Sequence, residues 1–121
     1  TSSTSGLWGV PTRAPYVVAK WGVIGLMKTL AMELGPSGVR VNAVAPGAVE
    51  GPRMERVLAN EAAAKGCSVE DMRALYAEGT SLRTWVTAED IADMVLFVTS
   101  DAGKRISGQT LAVDGHTERM I

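Results

Sequence analysis

Residues 15–47 read PYVVAKWGVIGLMKTLAMELGPSGVRVNAVAPG, and this stretch decides the fold. A proline at the start suits the first turn of a helix, where its missing N–H is no loss. The pattern predicts a helix from about Pro15 to Leu34, stopped by Gly35-Pro36. Apolar residues from Val17 to Leu34 occupy nearly every side of it. Such a helix is expected to be buried against a sheet on one face and against something else on the other, for which a partner subunit is the natural candidate. Val39 to Ala45 then reads as a short strand, β-branched and apolar around Arg40 and Asn42, and ended by Pro46-Gly47.

Upstream, Ser2 to Pro15 is rich in Gly, Ser, Thr and Pro and reads as a loop. Downstream, two weaker helical stretches span roughly Pro52–Lys65 and Val69–Ala77, with Ser68 as an N-cap and Asp71 three residues later. Charges interleaved with Met54, Val57, Leu58, Met72, Leu75 and Tyr76 make residues 51–85 read as a substrate-binding lid rather than a core. Thr87-Ala88-Glu89-Asp90 resembles a capping box and opens a helix to about Ser100, with Ile91, Met94, Val95 and Val98 as its apolar stripe. A turn at Ile106-Ser107-Gly108 leads to a last strand, Thr110 to Val113, ended by Asp114-Gly115. This alternation argues for an α/β fold with a parallel sheet covered by helices. Two strands cannot cover these helices, and parallel sheets are normally buried on both faces, so residues 1–121 are expected to be one partial domain, the second half of an α/β unit. The opening Thr1-Ser2-Ser3-Thr4-Ser5, with no Met, fits the middle of a longer polypeptide.

Composition narrows the function classes. The 121 residues are 46% hydrophobic with a formal charge of −1, values of a soluble globular domain or part of one. Lys and Arg are scattered among Asp and Glu, so there is no electrostatic footprint for nucleic acid or an anionic membrane. The longest apolar run, Trp21 to Met27, is far short of a bilayer span, and no secretory leader is legible. The lone Cys67 excludes an intrachain disulfide and fits a reducing compartment, hence the cytoplasm. One Cys and one His argue against a protein-only metal site.

Ser3, Tyr16 and Lys20 carry the candidate chemistry. With Tyr16 in the first helical turn, Lys20 lies one turn on and on the same face. A free phenol, with a pKa of about 10, is a poor acid–base catalyst at neutral pH. A positive charge roughly 4 Å away at an effective dielectric near 20 favours the phenolate by at most about 4 kcal/mol. Ser3 would add a hydroxyl that orients a substrate oxygen. The spacing alone fits a packed ring and a snorkelling amine equally well.

Context decides between the two. The whole sequence resembles the C-terminal half of a short-chain dehydrogenase/reductase, nearest its 3-oxoacyl-carrier-protein reductase-like branch. Ser3 precedes Tyr16-Val17-Val18-Ala19-Lys20 by the family's spacing, and Val41-Asn42-Ala43-Val44-Ala45-Pro46-Gly47 matches its strand and Pro-Gly turn. Thr87 to Ala92 is similar to the start of the family's last helix, and Ser107 to Gly115 to its closing strand. The resemblance implies a doubly wound, Rossmann-like parallel sheet and NAD- or NADP-dependent hydride transfer to or from a small carbonyl or secondary alcohol. It implies Tyr16 as acid–base, Lys20 beside it and on the nicotinamide ribose, and Ser3 on the substrate oxygen. Pro46, Gly47 and Val49 would shape the nicotinamide pocket, with the Val49 backbone meeting the carboxamide. Four residues beyond the Pro-Gly turn, where the family often carries Thr, stands Gly51. The phosphate-binding Gly loop, the residue selecting NAD or NADP, and the catalytic Asn belong to a half outside this sequence. A homodimer or homotetramer through the 15–34 helix and the C-terminal strand is expected. Two other functions stay open: a catalytically silent oligomerisation or binding fragment, and a sugar-nucleotide epimerase or dehydratase relative, against which the chain's end soon after Gly115 speaks.

Overall fold

The computed structural model describes residues 1–117, so the last four residues of the expected 1–121 unit lie outside the described ones. A 3-10 turn at Thr4–Gly6 leads to α1 (Ala14–Leu34), then β1 (Ala43–Pro46), α2 (Pro52–Lys65), α3 (Val69–Glu78), α4 (Ala88–Thr99) and β2 (Thr110–Val113). The two strands pair in parallel, with Ala43 opposite Thr110 and Pro46 opposite Val113. The α/β class and the parallel order expected from the sequence are what the chain adopts. Helix α4 packs across both strands and α1 against β1.

Strand β1 is shorter than the expected Val39–Ala45, beginning at Ala43 and including Pro46. The preceding residues are held by other partners. Val41 N–H donates to Ser107 Oγ, the Asn42 amide donates to the Ile106 carbonyl, and Arg40 Nη1 donates to the carbonyls of Val98, Gly103 and Ile106. Arg40 thereby satisfies carbonyls at the end of α4 and in the turn after it, which a helix C-terminus otherwise leaves without partners. Asn42 and Gly108 lock the entry to β2, since Gln109 N–H donates to Asn42 Oδ1 and Gly108 N–H to the Val41 carbonyl.

Within this chain α1 is covered over only part of its apolar surface. Met27 is its one buried residue among those described, while Val18, Trp21, Leu26 and Met32 are exposed. A pair of strands is too narrow to cover the apolar surface of a 21-residue helix. Gly22 and Gly25, small residues that suit close packing, face open space.

The α2–α3 segment, expected as a lid rather than a core, carries a buried cluster of its own. Leu58, Ala62 and Met72 bury one another, with Met54, Val69, Leu75, Tyr76 and Trp85 packed around them. Leu58 and Met72 are the largest fully buried side chains among the described residues. Both predicted caps form as complete boxes: Ser68 Oγ accepts from Asp71 N–H, and Thr87 Oγ1 from Asp90 N–H, with each aspartate returning the bond.

Candidate active site

The carboxyl end of β1 and the first turns of α1 open onto a cleft of about 740 Å³. Its walls are the Thr1–Ser5 segment, the α1 residues Tyr16 and Lys20 with the preceding Arg13, the loop from Pro46 to Gly51, and Met54, Val57 and Tyr76 from α2 and α3. All six residues singled out from the sequence, Ser3, Tyr16, Lys20, Pro46, Gly47 and Val49, line this one space. Its position beyond the carboxyl end of a parallel strand is where open α/β sheets bind ligands.

Ser3 is half-buried in extended backbone and caps the 3-10 turn, its Oγ accepting from Ser5 N–H at 3.1 Å. That bond occupies an acceptor site and leaves the O–H to donate. The turn is held in place by Ser2, which sequence reasoning passed over. Ser2 N–H donates to the Val44 carbonyl at 2.8 Å and Ser2 Oγ to the Lys20 carbonyl at 2.9 Å, so one residue ties the turn to β1 and to α1. Gly6 permits this contact, since a Cβ there would lie 2.6 Å from Ser2 Oγ and 2.9 Å from the Lys20 carbonyl oxygen.

Tyr16 is the third residue of α1 and Lys20 follows one turn later. The Lys20 ammonium lies 5.5 Å from the centroid of the Tyr16 ring, within cation–π range. It also donates to the Thr1 carbonyl at 3.4 Å. Lys20 thus follows Tyr16 by one turn on the same face of the helix.

Beyond β1, Gly47 N–H donates to the Val113 carbonyl at 2.9 Å. A Cβ on Gly47 would stand 2.8 Å from Asp114 Cα, so the glycine lets this loop lie against the end of β2. Val49 bridges Val86 in parallel, through Val86 N–H to Ala48 O and Glu50 N–H to Val86 O. Successive peptide groups of an extended chain point to opposite sides. Val49's own N–H and carbonyl thus face away from Val86, and they make no hydrogen bond among the described residues. Gly51, at φ +145°, caps α2 in a conformation that side-chain-bearing residues rarely adopt, which accounts locally for glycine there.

Arg13, Glu61 and Tyr76 form a polar cluster that the sequence did not reveal. Arg13 Nη2 bonds Glu61 Oε1, and Tyr76 O–H donates to both Glu61 oxygens at 3.1 and 3.0 Å. Burial first, then the Glu61 charge, pushes the Tyr76 phenol up to about 12. At neutral pH it is therefore a fixed donor. No short-range signal links these three positions, because each lies on a different element. Arg53 lines the cleft, whereas Arg56, Trp8 and Trp85 do not; Trp85 packs near Tyr76 at 5.7 Å between ring centroids. Cys67 is exposed, and His116 Nδ1 lies 2.9 Å from Ser81 Oγ. Among the described residues no three His, Cys, Asp or Glu side chains are grouped as metal ligands would be, and no helix is long and apolar enough to cross a membrane.

The comparisons with known proteins agree with this architecture. Residues 1–116 match the family model described as enoyl-(acyl carrier protein) reductase, of the short-chain dehydrogenase group. The chain is 40% identical over 114 residues to the 3-oxoacyl-[acyl-carrier-protein] reductase FabG of Staphylococcus epidermidis, covering 94% of this chain and 42% of that protein. It superposes on 4-hydroxyisoleucine dehydrogenase complexed with NADH with a TM-score of 0.81 and 33% identity, covering 95% of this chain and 44% of that one. An actinorhodin polyketide ketoreductase solved with NADPH gives a TM-score of 0.88 at 32% identity, over 94% of this chain and 44% of the other. The chain belongs to the short-chain dehydrogenase/reductase family. It spans a little under half the length of the curated relatives it matches.

Proposed function

We propose that the protein carrying this chain is an NAD(P)-dependent oxidoreductase that interconverts a carbonyl and a secondary alcohol, with Tyr16 as the acid–base. The observation that carries the reading is the convergence of Ser3, Tyr16 and Lys20 with Pro46, Gly47 and Val49 on one cleft at the end of β1. The residues present fit a nicotinamide nucleotide. Val49 offers an unengaged peptide N–H and carbonyl that would match a carboxamide, and the Lys20 ammonium has donors left for ribose hydroxyls. When bound, the nicotinamide supplies or accepts the hydride at the substrate carbon.

In the reduction direction, the Tyr16 hydroxyl gives its proton to the substrate oxygen as that oxygen takes up the C=O electron pair. In the oxidation direction the phenolate takes the alcohol proton back. Lys20 stands beside Tyr16 in both directions, its ammonium 5.5 Å from the ring centroid. The Ser3 O–H donates to the same substrate oxygen and holds it in reach of Tyr16. Residues 51–85 act as the lid over the cleft, and the exposed apolar face of α1, with Trp21, Leu26 and Met32, fits pairing with a second copy into a homodimer or homotetramer. The exposed Cys67 thiol fits a reducing compartment, and the cytoplasm is the location proposed.

A panel of ketones and secondary alcohols, assayed with reduced and oxidised NAD and NADP by nicotinamide absorbance, tests the reading. Turnover with at least one substrate–cofactor pair is expected. Failure of both nicotinamide nucleotides to bind the protein would overturn it in favour of a silent binding fragment.

A further inference from the structure

The charges around the cleft are unequal. Arg13, Lys20 and Arg53 line it against Glu50 alone among the described residues, and Glu50 faces Arg73 at 3.8 Å. Lys20 is committed to Tyr16, and Arg53 is exposed at the rim. Arg13 is different. It precedes Tyr16 by three residues, is part-buried, and its single partner among the described residues is Glu61, engaged through one nitrogen. A guanidinium has five N–H donors in a planar fork, so most of its capacity for a carboxylate remains unused. Glu61 is itself held by two contacts from the Tyr76 hydroxyl, and can keep a partner if Arg13 turns elsewhere. Apolar side chains, Val10, Met54 and Val57, complete the wall, which suits a short carbon chain between two polar ends.

Building on the oxidoreductase reading, we infer that Arg13 is a specificity-determining residue that binds the carboxylate of an oxo or hydroxy acid whose carbonyl or alcohol meets Tyr16. Glu61 is the internal anion that Arg13 holds until the substrate carboxylate replaces it. This gives the two residues opposite effects. Arg13→Gln removes the counter-charge, whereas Glu61→Gln removes the competitor. A purely structural role, with Arg13 as a strut to the lid, makes the two variants act in the same direction.

The experiment compares a 3-oxo acid with its methyl ester as substrates of the whole protein and the two variants. Arg13→Gln is expected to raise KM for the acid about tenfold, with kcat and the ester's KM little changed. Glu61→Gln is expected to lower KM for the acid. Equal losses on acid and ester in both variants, or a wild-type preference for the ester, would overturn the inference. Binding is read separately by calorimetry with butyrate and butyramide on the cofactor-loaded protein. Arg13-dependent binding of butyrate, without turnover of acid or ester, upholds the carboxylate site and removes the oxidoreductase reading. Turnover of neutral ketones with no preference for butyrate over butyramide does the reverse.

Discussion

Gly47 shows how much one residue can hide. Its place in a Pro-Gly turn suggests room for a cofactor, yet the neighbour it admits within this chain is Asp114, 2.8 Å from where a Cβ would stand. Gly47→Ala therefore forces the loop off the end of β2. Chemical denaturation is expected to show a loss of about 1–3 kcal/mol, typical of overpacking at a tight contact. Gly25→Ala is the control, because it sits inside α1 with nothing within 4 Å. A better helix former there is expected to be neutral or to stabilise by up to about 1 kcal/mol. Equal losses at both positions would show that Asp114 is not what Gly47 accommodates. Tyr16 and Lys20 were legible because their relation is helical, one turn apart on one element. Ser2, Arg13 and Glu61 were not, since their partners are 15 to 48 residues away in sequence.

At the scale of elements, the helices declare themselves through their ends. Ser68 and Thr87 each begin a capping box, and those local patterns placed the starts of α3 and α4 correctly. The Ser68 hydroxyl and N–H hold the Asp71 carboxyl below the usual carboxylate range, and the Thr87 N–H and hydroxyl do the same for Asp90. A carboxylate whose pKa is depressed on folding stabilises above its unfolded value, and the contribution fades as pH falls through the folded one. Helix content followed by circular dichroism is expected to decline more on acidification in the wild type than in a variant with Asp71→Asn and Asp90→Asn. Identical acid profiles would remove the caps from the account. Strand β1 was less legible. Of its first four expected residues Val39 and Val41 look β-branched and apolar, but Arg40 and Asn42 use their side chains to bind the α4–β2 connection, and no ladder forms there.

Across the whole molecule, a short parallel pair positions a candidate cleft that segments far apart in sequence complete. The order of helices and strands was readable from periodicity and punctuation. The packing was not, because the apolar residues of α1 say that a cover is needed without saying what supplies it, and within this chain much of that helix stays exposed. The α2–α3 segment likewise reads as mixed in sequence, while its buried cluster of Leu58, Ala62 and Met72 depends on contacts between two helices. What unites the parts is the cleft, and the chemistry proposed for it rests on the Tyr16 hydroxyl. The most direct test is Tyr16→Phe in the whole protein, measuring hydride transfer and nicotinamide binding side by side. Turnover is expected to fall by about 10²–10⁴-fold, the worth of a positioned acid–base group, while cofactor binding stays within a few-fold of wild type. Wild-type turnover by that variant would contradict the assignment of Tyr16 as the acid–base.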